Sequence, residues 1–263
     1  MLAGAWLYIV ALAASFTIAT LATPAGVSGA VLLLPFQVSV LGTPSPAVTP
    51  TNLLYNVVAT PGALYRYWRQ GQTGGQLTRF LVLGTLPGVV AGSVIRVELL
   101  PASRPFEVVI ALVMVPLGAS LLARKRPRDD VAPAKSWLSP ARLAMAAAAV
   151  GCVGGIYGIG GGSVLAPLLI RSGRLPSEVA PATLAATLVT SIAGVATFLV
   201  LSAHHRGSVA PDWTIGILLG AGGLAGGYLG ARLQPRLPEV TIRRLLGVLV
   251  IAVGVRYGWL AAQ

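Results

Sequence analysis

The sequence predicts an all-α polytopic membrane protein with two homologous halves. Apolar residues make up 55% of the 263 residues, charged residues only 10%, and the mean hydropathy is +0.80. A soluble domain carries about 25% charged residues, so we set a soluble protein aside. Apolar runs of membrane-spanning length recur along nearly the whole chain. The single cysteine, Cys152, excludes disulfides within the chain.

Five apolar segments can be marked in each half, labelled A to E and A′ to E′. The first half, residues 1–123, is joined to the second, residues 141–263, by the basic, proline-containing linker 124–140. The N-terminus, MLAGAWLYIV, lacks the basic region of a secretory signal, so segment A is predicted to be a retained helix. The segments are A 5–23, B 29–42, C 47–65, D 78–97, E 105–123, A′ 141–157, B′ 161–170, C′ 178–201, D′ 213–231 and E′ 241–260.

The two halves repeat each other. VTPTNLL at 48–54 matches VAPATLA at 179–185 with an offset of 131 residues, and GVVAG at 88–92 matches GLAGG at 223–227 with an offset of 135. Such an internal duplication recurs in secondary transporters.

Segments B and B′ are too short to cross a bilayer, because ten helical residues cover only about 15 Å of a core about 30 Å thick. Each A–B unit is therefore a broken helix that crosses once or a hairpin that returns to its starting side. A single crossing divides the 19 basic residues 11 to 8 between the two sides, whereas a hairpin divides them 15 to 4. Lys and Arg accumulate on the cytoplasmic side, so we favour hairpins.

A returning hairpin leaves three crossing segments in each half. Three is odd, so the second half is predicted to be an inverted repeat, with both termini outside the cell and the linker in the cytoplasm. The net charge of +12 is then a topology signal and does not indicate nucleic-acid binding.

A glycine-rich motif interrupts both halves near segment B. GIYGIGGGSVLAPLLI at 155–170 has a looser copy, TPAGVSGAVLLLPFQV, at 23–38. A broken helix inside a membrane is tolerated only when it is buried in protein or lines a wet cavity. The helix that follows, from about Ser163 with Pro167 near its first turn, would point free N–H groups into the gap, where they bind anions. Close helix packing is the alternative, and we assign it to LLGAGGLAGGYLGA at 218–231.

Two polar stripes form a second duplicated feature: Asn52, Asn56 and Thr60 on segment C, and Thr183, Thr187 and Ser191 on segment C′. Their spacing of i, i+4 and i+8 places them on one helix face, where they either contact an oxyanion or bond neighbouring helices. No carboxylate, lysine or histidine lies mid-segment, so no proton relay or metal site is expected. No catalytic residue or cofactor is predicted either. The predicted substrate-binding residues are Gly26, Ser28, Gly29, Pro35, Asn52, Asn56, Thr60, Gly158, Gly160, Gly161, Gly162, Pro167, Thr183, Thr187 and Ser191.

The motif GIYGIGGGSVLAPLL closely resembles the signature of the TauE/SafE sulfite-exporter family, also called toluene sulfonate uptake permeases. The resemblance covers essentially the entire chain. The first copy departs from it, because Ser28 and Ala30 replace glycines and leave Gly26, Gly29 and Pro35. The resemblance implies about eight membrane segments and the transport of sulfur-containing anions such as sulfite and organosulfonates.

We therefore expect a secondary carrier for a small anion in the cytoplasmic membrane, with the lipid bilayer as its other partner. The coupling ion and the oligomeric state stay open, and an anion channel is the alternative. A rhomboid-like serine protease is a remote third reading, because GVSG at 26–29 and AHHRG at 203–207 resemble its motifs. A serine nucleophile needs a base within about 3 Å, whereas His204 and His205 are predicted at the polar end of C′.

Overall fold

The computed structural model describes residues 2–72, 75–101, 103–123, 140–171, 174–205, 209–236 and 239–262. Regular structure in these ranges is entirely helical, and each predicted segment corresponds to one α-helix. Residues 124–139 of the predicted linker lie outside the described ranges. The helices are α1 Leu2–Ala22, α2 Ala30–Ser39, α3 Val48–Arg69, α4 Gly75–Glu98, α5 Ser103–Leu122, α6 Pro140–Tyr157, α7 Gly162–Arg171, α8 Pro176–His204, α9 Trp213–Leu233 and α10 Glu239–Ala262.

Four stretches of the described residues are long and apolar enough to cross a membrane. They are Trp6–Ala25, Gly75–Glu98, Ser177–His204 and Trp213–Arg236. Helix α3 has the length of a span, 22 residues, but is more polar. Its threonines and asparagines are buried inside the bundle, so this face does not meet lipid.

The two halves are interleaved. Helices α1 and α3 of the first half pack on α9 of the second, while α6 and α8 of the second pack on α4 of the first. The last helices of the halves, α5 and α10, pack on each other. The pattern is reciprocal. Helix α1 contacts α9 as its counterpart α6 contacts α4, and α3 contacts α9 as its counterpart α8 contacts α4.

Glycines make these close contacts between helices. A Cβ added to Gly62 would lie 2.1 Å from the carbonyl oxygen of Leu224, and one added to Gly226 would lie 2.2 Å from that of Phe16. Neither distance leaves room for a methyl group. The packing role predicted for the glycines of 218–231 is therefore confirmed.

The contact registers give the directions of the helices. Leu54, Val58 and Gly62 on α3 meet Gly216, Gly220 and Leu224 on α9 in the same order, so these two helices run in the same direction. Leu12, Phe16 and Thr20 on α1 meet Gly222, Gly226 and Gly230 on α9, again in the same order. Since α1 and α3 both run with α9, α2 and its flanking segments return the chain to the end where α1 began.

Helices α4, α6 and α8 form a second set. Thr85 and Val89 on α4 meet Gly151 and Gly155 on α6 in the same order. On α8, Ala182 and Ala186 cluster with Leu81 of α4, and Gly194 lies against Val89, again in parallel order. Helix α8 runs opposite to α3, because Leu184 clusters with Ala63 and Tyr67 while Gly194 meets Leu53. Helices α5 and α10 are likewise antiparallel, since Gly118 lies against Gly247 and Met114 against Gly254.

Basic residues gather at one end of this bundle, where α3, α7 and α9 end and α4, α6, α8 and α10 begin. Glu98, His205 and Asp212 lie at the opposite end. The arginines at or near the basic end are Arg66, Arg69, Arg79, Arg142, Arg171, Arg174, Arg232, Arg236, Arg243 and Arg244.

Candidate functional site

Two glycine-containing breaks meet inside the bundle. Loop 1, residues 23–29, separates α1 from α2, and loop 2, residues 158–161, separates α6 from α7. Gly26 has a φ of 71°, and Gly158 and Gly160 have φ of 79° and 70°, a region that favours glycine. Loop 1 contacts the first turn of α7, because the backbone N–H of Ser28 donates to Ser163 Oγ at 3.1 Å.

Each loop is held by the long helix of the other half that carries a polar stripe. Thr183 Oγ1 on α8 donates to the carbonyl oxygen of Gly26 at 3.0 Å. Asn56 Nδ2 on α3 reaches the carbonyl oxygen of Gly158 at 3.5 Å. The backbone of α3 is also close, since a Cβ added to Gly158 would lie 2.6 Å from the carbonyl oxygen of Thr49. The two polar stripes therefore tie the halves together at the breaks.

The same stripes also hold the loop and short helix of their own half. On α3, Asn56 Oδ1 accepts from Ser28 Oγ, and Asn52 Nδ2 donates to the carbonyl oxygen of Ala30 at 3.0 Å. On α8, the Thr187 hydroxyl lies 3.4 Å from Ser163 Oγ. All six stripe residues predicted from the sequence are at most 5% exposed. The structure therefore brings both stripes to both breaks.

Several polar residues of this region were not predicted, among them Gln37 and Thr190. Gln37 on α2 is fully buried, and its Nε2 donates to Asn52 Oδ1 at 2.9 Å. Thr190 on α8 accepts from the backbone N–H of Gly161 at 3.0 Å. The signal for Gln37 is a lone amide within the apolar run LLLPFQV. The signal for Thr190 is its i+3 spacing from Thr187, which also places it on the stripe face.

At least three buried donors at the breaks have no hydrogen-bond partner among the described residues. Thr60 lines a cavity of about 10 Å³ together with Ser28 and Gly29, which is about the space that one water molecule needs. Ser191 Oγ is fully buried and lies 3.0 Å from where a Cβ on Gly160 would be. The backbone N–H groups of Gly29 and Gly160 are the other two.

The glycines at the breaks leave no space for a side chain. A Cβ on Gly162 would lie 1.9 Å from the carbonyl oxygen of Thr183, and one on Gly161 would lie 2.4 Å from Thr85 Cβ. A Cβ on Gly29 would lie 2.5 Å from Tyr55 Oη. Alanine at these positions would push the short helices away from α3, α4 and α8.

Pro167 lies deeper in its short helix than the sequence predicts. Pro35 and Pro167 are each the sixth residue of their helix, so Pro167 belongs to the second turn of α7 and not to its first. A proline at this place leaves the carbonyl four residues earlier without its helical donor. In α2 that carbonyl belongs to Val31, and it accepts from Tyr157 Oη of α6 at 3.1 Å. Pro35 thus frees the Val31 carbonyl of the first half to accept a hydrogen bond from Tyr157 of the second half.

The residues of the protease-like motifs do not form a catalytic pair. Ser28 donates to Asn56, and His205 Nε2 lies 3.0 Å from Glu98 Oε1 at the far end of α8. His204 follows Ser191 by 13 residues, a rise of about 20 Å along one helix. This geometry gives Ser28 no neighbouring histidine.

Comparison with known proteins gives a family match and relatives along most of the chain. The family model described as "Sulfite exporter TauE/SafE" matches residues 11–257. A "Probable membrane transporter protein" of Xylella fastidiosa (strain 9a5c) is 28% identical over 249 residues, covering 89% of this chain and 88% of the relative. "Probable membrane transporter protein YunE" of Bacillus subtilis (strain 168) is 28% identical over 188 residues, covering 65% and 66%. "Probable membrane transporter protein YjnA" of the same strain is 25% identical over 243 residues, covering 88% and 92%. No solved structure matches the chain.

Proposed function

Since the chain belongs to the sulfite exporter TauE/SafE family of membrane transporters, we propose that it is a secondary carrier for a small anion. The proposed substrate is a sulfur oxyanion such as sulfite, or an organosulfonate. The observation that carries this proposal is the set of donors at the two breaks that have no partner among the described residues, which includes Ser191 Oγ and the backbone N–H groups of Gly29 and Gly160.

The chemistry of these donors favours an anion. Backbone N–H groups and hydroxyls supply hydrogen to an oxyanion, and a sulfite or sulfonate group offers three oxygens that accept. The short helices α2 and α7 begin beside the breaks, at Ala30 and Gly162, so the positive ends of their dipoles face the same place. The described carboxylates, such as Glu98 and Asp212, lie at or near helix ends and do not repel an anion there.

We further propose that the halves 1–123 and 141–263 form an inverted repeat. In support, α1 and α3 run with α9, their counterparts α6 and α8 run with α4, and the two sets point in opposite directions. Transport then alternates access by moving the loops apart on one side at a time. The small central cavity favours a carrier over an open channel, because nothing larger than about one water molecule fits.

The bundle is proposed to lie in the cytoplasmic membrane with its basic end inside, as the accumulation of Lys and Arg on the cytoplasmic side requires. Both termini are then outside, and the linker 124–140 is cytoplasmic. The test is a single cysteine at position 130 in a Cys152→Ala background. An impermeant thiol reagent added to whole cells should leave it unlabelled, and labelling from outside would refute this orientation.

Transport itself is tested in proteoliposomes. Purified protein should show saturable uptake of sulfite, thiosulfate, taurine or sulfoacetate, accelerated by the same anion trapped inside. Such counterflow distinguishes a carrier from a channel. A Gly161→Ala variant should lose most of the flux, because its methyl group would displace loop 2 from Thr85. Gly258→Ala is the matched control, since a Cβ there would meet only Ala111 Cβ at 3.5 Å. Equal flux in both variants would refute the role of loop 2.

A further inference from the structure

Arg96 lies in α4 and is the only charged side chain among the described residues that is buried from solvent. It belongs to the candidate membrane span Gly75–Glu98. Its Nη groups donate to Ser45 Oγ at 2.5 Å and to the carbonyl oxygen of Leu100, and its Nε donates to Thr49 Oγ1 at 3.1 Å. Arg96 lies in the last turn of α4, and a charge buried away from water is costly unless it is paired or hydrogen-bonded.

The bond to Leu100 explains part of this position, because a cation stabilises the C-terminal end of a helix. This bond does not explain why the first half has a buried arginine at this position and the second half does not. With the offset of 135 residues, the counterpart of Arg96 is Ala231, which lies in an apolar cluster with Tyr67 and Leu184. The position in the second half that corresponds to Arg96 is therefore apolar and has no buried cation.

Arg96 is connected to loop 2 through one residue. Thr49 Oγ1 accepts from Arg96 and donates to the carbonyl oxygen of Ile156 at 3.2 Å, just before the break. The carbonyl oxygen of Thr49 lies 2.6 Å from where a Cβ on Gly158 would be. Thr49 therefore lies between the Arg96 guanidinium and loop 2. The guanidinium is on the side of loop 2 nearer the less basic end of the bundle.

We infer that Arg96 is a specificity-determining residue whose fixed positive charge makes the anion site prefer dianions to monoanions of the same shape. The inference rests on the proposed anion-carrier function. Arg96 acts through its field and does not contact the anion. Arg96 contacts Thr49, and Asn56, which bonds to both breaks, lies seven residues further along α3, a rise of about 10 Å. At an effective dielectric near 20, a unit charge at this separation strengthens the binding of a monoanion roughly tenfold and that of a dianion roughly a hundredfold.

The test compares sulfate with methanesulfonate, which have nearly the same shape but charges of −2 and −1. Binding of each to purified protein in detergent is measured by intrinsic tryptophan fluorescence or calorimetry. The variants are Arg96→Gln, which removes the charge, and Arg96→Lys, which keeps it. Arg256→Gln is the matched control, because it removes an exposed arginine from α10.

We expect the ratio of sulfate affinity to methanesulfonate affinity to fall about tenfold in Arg96→Gln. The ratio should stay within about threefold of the wild type in Arg96→Lys and in Arg256→Gln. A structural role alone would weaken both anions equally, so an unchanged ratio in Arg96→Gln overturns the inference while leaving anion binding intact. If that variant does not fold, a wild type that binds methanesulfonate more tightly than sulfate overturns it instead. A wild type that binds neither these anions nor sulfite refutes the proposed function, and the inference with it.

Discussion

Replacing Ser191 with alanine removes a hydroxyl that is fully buried on α8 and has no hydrogen-bond partner among the described residues. Leaving such a group unsatisfied costs about 1–3 kcal/mol, and the substitution creates almost no cavity. The free energy of unfolding should therefore rise by about 1–2 kcal/mol in Ser191→Ala. If the hydroxyl binds the anion, the same change should weaken substrate affinity by about tenfold, the value of one hydrogen bond to a charged group.

The neighbouring residue supplies the control. Thr190 Oγ1 donates to the carbonyl oxygen of Ala186 at 2.7 Å and accepts from the N–H of Gly161 at 3.0 Å. Thr190→Val keeps the shape of the side chain but leaves the backbone N–H of Gly161 without its acceptor. The free energy of unfolding should therefore fall by about 1–3 kcal/mol. The two adjacent substitutions are thus expected to change stability in opposite directions.

Both quantities are measurable on the same preparations. Reversible unfolding by SDS in mixed micelles, followed by tryptophan fluorescence, gives the free energy, and uptake into proteoliposomes gives the KM. Loss of stability in Ser191→Ala as large as that in Thr190→Val would show that the hydroxyl is structural. A KM equal to that of the wild type would remove Ser191 from the anion site.

Two further substitutions test the packing around the breaks. Gly162→Ala should lower the free energy of unfolding by about 1–3 kcal/mol, because its Cβ would lie 1.9 Å from the carbonyl oxygen of Thr183, whereas Gly258→Ala should change it by less than about 0.5 kcal/mol. Equal stabilities in SDS titration would contradict the crowding at the start of α7. Tyr157→Phe should cost about 1 kcal/mol by removing the donor to Val31, and a thermal midpoint matching that of the wild type would contradict this role for the tyrosine.

Much of the helical layout is predictable from the sequence, because apolar runs and basic loops report directly on burial in a membrane. The ends of short elements are harder to predict. Segment B extends to residue 42 in the sequence prediction, whereas α2 ends at Ser39. The difference arises because Val40 and Leu41 are apolar but not helical, and the backbone N–H of Thr43 instead donates to the carbonyl oxygen of Gln37 at 3.0 Å.

The candidate site is predictable as a set of residues but not as an arrangement. The duplicated glycines and the i, i+4, i+8 stripes identify both breaks, since each pattern lies within a single stretch of chain. The bond from Thr183 to Gly26 joins residues 157 positions apart, and no local pattern shows which copy of the stripe meets which copy of the loop. Gln37 and Arg96 are missed for a related reason, because one polar residue in an apolar run shows its burial only after its neighbours have been placed.

Loop 1 rests on α8 and loop 2 on α3, so each half supplies the surface on which the break of the other half closes. A fragment ending at the linker would therefore contain an interrupted helix with no complementary helix to receive it. Survival of such a fragment would require a second molecule to take the place of the missing half. The two halves therefore need each other to pack, and joining them in one chain supplies them in equal amounts.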